Sequence, residues 1–158
     1  MKKLMMAAIP AFLFLGTVGK AQNYTSGIGA IADVGERGTM FGIQYKHFFG
    51  EYTAGEFSAA TEIENSLVQA NFQFQYPLFN SRNLDFYVGA GPGVMYGNNL
   101  NNSVKSFYFA PAAMVGLDLS LGDLPLSIAA DWRPRVFVGQ DPSVEISRFA
   151  VGMKYTFY

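Results

Sequence analysis

The chain has 158 residues, half of them hydrophobic and only 15% charged, with no cysteine, one histidine and a formal net charge of −1. Soluble domains usually carry roughly a quarter charged residues, so this chain has little to present to water. The lack of cysteine excludes a disulfide framework and a lipoprotein attachment site, and a lone His47 excludes a multi-histidine metal centre.

The first element is a leader. Lys2 and Lys3 precede an apolar run from Leu4 to Leu15, and Gly19 and Ala21 are the small residues that a signal peptidase reads. Cleavage after Ala21 makes Gln22 the first mature residue, dividing the chain into a signal peptide (1–21) and one domain (22–158). The apolar run is too short to span a bilayer as a helix. Once Lys2, Lys3 and Lys20 are set aside, eight basic residues stand against twelve acidic ones. No basic patch remains to bind nucleic acid.

From there the chain reads as strands. Period-two alternation predicts eight of them, near 24–32, 39–49, 52–59, 67–78, 84–96, 107–121, 125–138 and 144–157. Tight turns are expected at "FGEY", "FNSRNL" and "LGDLP", and looser loops at "DVGERG", "ATEIENS", "GNNLNNSVKS" and "GQDPS". An even strand count with short turns at one end and longer loops at the other is the pattern of a transmembrane barrel. The expected fold class is therefore all-β: an eight-stranded antiparallel up-and-down transmembrane β-barrel with short periplasmic turns. It would sit in the outer membrane of a Gram-negative bacterium.

Each strand has an apolar and a polar face. In 67–78, Val68, Phe72, Phe74 and Tyr76 oppose Gln69, Asn71, Gln73 and Gln75; in the last strand, Phe149, Val151, Met153, Tyr155 and Phe157 oppose Arg148, Ala150, Gly152, Lys154 and Thr156. The polar faces are rich in Gly, Ala, Ser and Gln and poor in charge, which makes them a poor solvated exterior. Their charges are Lys46, Glu56, Asp85, Asp118, Asp131, Arg133, Arg135, Arg148 and Lys154, five positive and four negative. A near-balanced set suits a narrow, filled interior, because an unpaired buried charge costs several kcal/mol. The expectation is a structural ion-pair network inside and lipid outside.

These features resemble the small eight-stranded outer-membrane barrels, the family of outer-membrane protein X and the membrane domain of outer-membrane protein A, and more narrowly the short single-barrel proteins of Bacteroidetes. The resemblance rests on "GKAQ", "YVGAGPGVMYG", "LDLSLGDLPLSIAADWRPRV" and "FAVGMKYTFY". It implies a monomer in outer-membrane lipid, inserted by the barrel-assembly machinery. One departure is that parity places Phe157 outward and leaves Tyr158 inward or dangling.

Chemistry is sparse. His47 falls on the outward face, and "YKHFFG" lacks a serine two residues away, so the His–Ser arrangement of outer-membrane lipid A deacylases is not met. Asp131, Arg133 and Arg135 share one strand face, and ion pairing explains them more simply than phosphate binding. No catalytic residue, cofactor or metal is expected. Pro92, Pro111 and Pro134 each interrupt a predicted strand, where proline removes a ladder donor. They mark either bulges or a lateral opening for an acyl chain in a lipid-binding or lipid-modifying barrel. A third reading, a soluble lipocalin-like carrier, requires the apolar faces to point inward.

Overall fold

The computed structural model describes residues 24–36, 38–50, 52–62, 66–81, 83–98, 105–138 and 142–158. The predicted cleavage site at Ala21 and Gln22 lies outside them, as does most of the "GNNLNNSVKS" loop.

Eight wall strands, here called staves, close into an antiparallel ring. Staves one to four are single strands: β1 (Ser26–Gly35), β2 (Gly38–Phe48), β3 (Ala54–Glu62) and β4 (Leu67–Asn80). Each later stave is made of two pieces. Stave five holds β5 (Leu84–Gly91) and β6 (Gly93–Asn98), and stave six holds β7 (Lys105–Phe109) and β8 (Ala112–Ser120). Stave seven holds β9 (Leu126–Trp132) and β10 (Arg135–Phe137), and stave eight holds β11 (Ser143–Glu145) and β12 (Arg148–Phe157). Ten paired positions, from Ser26↔Phe157 to Gly35↔Arg148, join β1 to β12 and complete the ring. Closure leaves no free sheet edge.

The strands form because β-branched and aromatic residues alternate with small or polar ones, which suits a pleated surface with two unlike sides. In β12, Arg148, Ala150, Gly152, Lys154 and Thr156 are buried, whereas Phe149, Val151, Met153, Tyr155 and Phe157 are exposed. Ile43 at 62%, Phe74 at 55% and Phe107 at 65% exposure continue this apolar belt around the ring. Apolar faces out and charged faces in is the reverse of a lipocalin. The soluble-carrier reading is overturned by this inversion, since such a surface is stable only against hydrocarbon.

Three local expectations need correction. "DVGERG" is not a loose connection: the β1–β2 ladder runs to Gly35↔Gly38, leaving only Glu36 and Arg37 between strands. Gly38 makes the turn tight, with φ of 115° and the Glu62 carboxylate packed where a Cβ would sit. Second, the strands predicted over 84–96, 107–121, 125–138 and 144–157 are each interrupted.

Third, the last interruption contains no proline. Register runs Trp132↔Phe149 on one side and Arg135↔Glu145 on the other, so stave eight holds one more residue than stave seven between them. That extra residue is a β-bulge at Ile146–Ser147. Both bulge residues are exposed, and along the chain the inward parity switches from odd to even positions across them.

Candidate functional site: an ion-paired lumen

The lumen is filled by side chains in layers. At the turn end, Asp118 of β8 accepts from Lys46 Nζ at 2.9 Å, Lys154 Nζ at 3.0 Å, the Tyr24 hydroxyl at 2.7 Å, and the Ser127 hydroxyl. Two ammonium groups thus share one carboxylate. Asp85, paired with Asp118 across the β5–β8 ladder, supplies the second negative charge nearby. The Lys46 ammonium also lies 4.9 Å from the Phe48 ring centre and 4.7 Å from that of Tyr87, and desolvation strengthens such contacts.

Arg133 commands the middle layer. Its guanidinium bonds Glu56 of β3 at 2.7 Å and both carboxylate oxygens of Asp131, one of them at 3.0 Å. Tyr87 donates to Asp131 at 3.0 Å, and the Gln75 amide donates to Glu56 at 2.9 Å. Arginine suits this place because its planar fork engages two carboxylates at once.

Towards the loop end, Asp33 of β1 accepts hydrogen bonds from Arg135 at 3.0 Å and Gln69 at 3.1 Å, and forms an ion pair with Arg148, whose Nε lies 2.8 Å away. Glu145 pairs with Arg148 at 3.0 Å and lies 3.8 Å from Arg135. Gln69 also accepts from Arg135. Met40, Ala60, Leu67, Met95, Ala110 and Phe137 then form a buried apolar cluster, with Tyr108 against it. The buried Glu62 carboxylate lies beside this cluster, on β3 opposite Leu67.

All nine predicted interior charges are buried, and the structure joins eight of them into these pairs: Lys46, Glu56, Asp118, Asp131, Arg133, Arg135, Arg148 and Lys154. Asp85 is brought beside them without an ion pair of its own among the described residues. Sequence reasoning missed Asp33, Glu62 and Glu145, which are also buried. Asp33 falls in the "DVGERG" stretch expected to be a loop, although Ile28, Ala30, Ala32 and Val34 continue the outward set past it. Glu145 carried no such signal. Glu145 and Arg148 are three apart, so in an unbroken strand they would face opposite sides, and only the bulge turns both inward.

His47 lies on the outer wall between Tyr45, stacked at 6.4 Å, and Phe49, edge-on at 5.3 Å. Tyr158 is 78% exposed at the chain end. Pro92, Pro111 and Pro134 lie level with one another in staves five to seven. Their carbonyls accept from Phe72, Val136 and Ala113 respectively, each at 3.0 Å. The reciprocal bonds are missing because proline has no N–H. The breaks thus remove one bond of each exchanged pair without changing register. At the bulge, the Trp132 indole donates to the Ile146 carbonyl at 2.6 Å.

No protein-family model matches the sequence, and a comparison with curated proteins finds no match. Solved structures do match. The N-terminal β-barrel domain of Pseudomonas aeruginosa OprF aligns with a TM-score of 0.61 at 15% identity, over 82% of this chain and 96% of that one. Neisserial surface protein A aligns with a TM-score of 0.46 at 13% identity, over 85% and 96%. The first likeness is one of fold. The closed eight-stranded ladder of this chain thus has the fold of the OprF β-barrel domain.

Proposed function

We propose that the chain is a non-enzymatic integral outer-membrane barrel that serves envelope structure or weak surface interaction. The observation that carries this reading is the inside-out construction: a lumen filled by matched charges and a wall whose outer face is apolar. An eight-stranded ring is just wide enough for side chains to fill it, so Arg133, Arg135 and Arg148 occupy the volume a solute would need. The OprF likeness supports the fold, and the resemblance to outer-membrane proteins X and A supports the setting.

On this reading residues 1–21 direct export, outer-membrane lipids surround the belt, the barrel-assembly machinery inserts the chain, and the barrel acts as a monomer. The outer loops are the places for any surface contact, because recognition concentrates on loops held by a rigid scaffold. Two experiments test the proposal. The purified protein should migrate differently on gels before and after boiling, as a folded membrane barrel does. In planar bilayers the monomer should give no stable, large open state. Extraction as a soluble periplasmic protein, or porin-like conductance, would refute it.

A further inference from the structure

We propose that one buried water molecule is an integral part of the turn-end lumen, donating hydrogen bonds to Asp85 and Gln75. A small cavity lies there, between Lys46 and Phe48 of β2, Ala54 of β3, Gln75 and Pro77 of β4, and Asp85 and Tyr87 of β5. Its volume is about 10 Å³, at the threshold of roughly 10–15 Å³ that a single water requires.

The polar groups around it specify the occupant. Asp85 Oδ1 and Gln75 Oε1 are buried and have no hydrogen-bond partner. The side chains that carry them are 6% and 2% exposed. The orientation of the Gln75 amide is set by its Nε2, which donates to Glu56, so the free atom is the acceptor oxygen. Both unmet groups therefore need a donor. The Lys46 ammonium, bonded to Asp118 and lying over the Phe48 and Tyr87 rings, makes no hydrogen bond to either oxygen. Water brings two O–H groups in one small body. A metal cation would satisfy the same two oxygens, but the neighbouring ammonium repels it. Leaving both acceptors dry would forfeit the hydration that each loses on burial.

The water has a role beyond filling space. It ties Asp85, otherwise outside the ion pairs, through Gln75 to Glu56 and hence to Arg133. Asp85 thereby joins the hydrogen-bonded network of the middle layer.

A crystal structure of the whole barrel from detergent, grown with and without thallium(I), tests this directly. The expected result is a single density peak within hydrogen-bond distance of Asp85 Oδ1 and Gln75 Oε1, with no anomalous signal in thallium. An anomalous peak there would assign a cation and overturn the proposal, as would an empty cavity. Ala54→Val gives a second readout, because Ala54 points inward at 1% exposure. Displacing the water should lower the urea midpoint in liposomes. A raised midpoint would mean that a dry void had been filled.

Discussion

Staves one to four and staves five to eight share one closed ladder and one outward apolar belt, yet at the loop end the breaks lie in the second group; β4 is irregular only at the turn end, where its register with β5 shifts between Pro77 and Phe79. β1 to β4 are each a single strand, of 10, 11, 9 and 14 residues. On the other side, the loop-end pieces β6, β7, β10 and β11 have only 6, 5, 3 and 3 residues. Three prolines and one bulge, all near the same level, remove backbone bonds from neighbouring staves. What compensates is inside. Asp33, on the unbroken side, reaches Arg135 and Arg148 on the broken side. A wall weakened in its backbone is thus held from its lumen by ion pairs.

The largest expected effect comes from cutting that tie. Asp33→Ala leaves two buried guanidinium groups short of a carboxylate and should cost about 3–5 kcal/mol in unfolding from liposomes. The loss should be accompanied by faster hydrogen exchange in β10 and β11. A loss below 1 kcal/mol would mean that the lumen does not hold the broken side.

Next is the outer face. Val115→Arg, on the lipid side of β8, should cost about 2–4 kcal/mol if the site lies near the bilayer midplane. Ala112→Ser, facing the lumen on the same strand, should be nearly silent. Equal costs would contradict the assignment of faces.

Hydrogen exchange in bicelles then separates the two regions. Amides of β6, β7, β10 and β11 should exchange about tenfold faster than those of β1 to β4 at the same depth, a factor equivalent to about 1.4 kcal/mol, close to one forfeited bond. Uniform protection through Val94, Met114 and Val136 would show that the breaks cost nothing. Rapid exchange slowed by added lipid chains would instead favour the lateral opening at Pro92, Pro111 and Pro134.

The smallest effect is expected from Pro111→Ala. It restores a donor for the Val136 carbonyl, worth about 0.5–1.5 kcal/mol, but loosens the unfolded chain by about 0.4–1 kcal/mol. Net stability should barely move, while exchange at β10 slows. No slowing would mean that the missing donor is not what weakens that seam.

Faces were legible in the sequence because alternation records which side each residue takes, and a closed barrel applies that rule in every stave. Lys46, Glu56, Asp118 and Lys154 followed from it. The prolines were legible too, since a missing N–H is a local property. Glu145 was not, because one extra residue at Ile146–Ser147 resets parity without leaving a mark in composition. Which charges meet was also hidden. Asp33 and Arg135 are 102 residues apart, and only ring closure brings them together.

The most direct test of the account is a spin-label scan of stave eight, residues 143–157, one cysteine at a time in lipid. The chain has no native cysteine to interfere. Oxygen in the hydrocarbon should reach labels at Phe149, Val151, Met153 and Tyr155 but not at Ala150, Gly152 or Thr156. Across the bulge, 144 should be outward, 145 inward, and 146 and 147 both outward. Lipid access at Ala150 and Gly152 with protection at Val151 and Met153, or unbroken alternation that puts 145 outward, would contradict it.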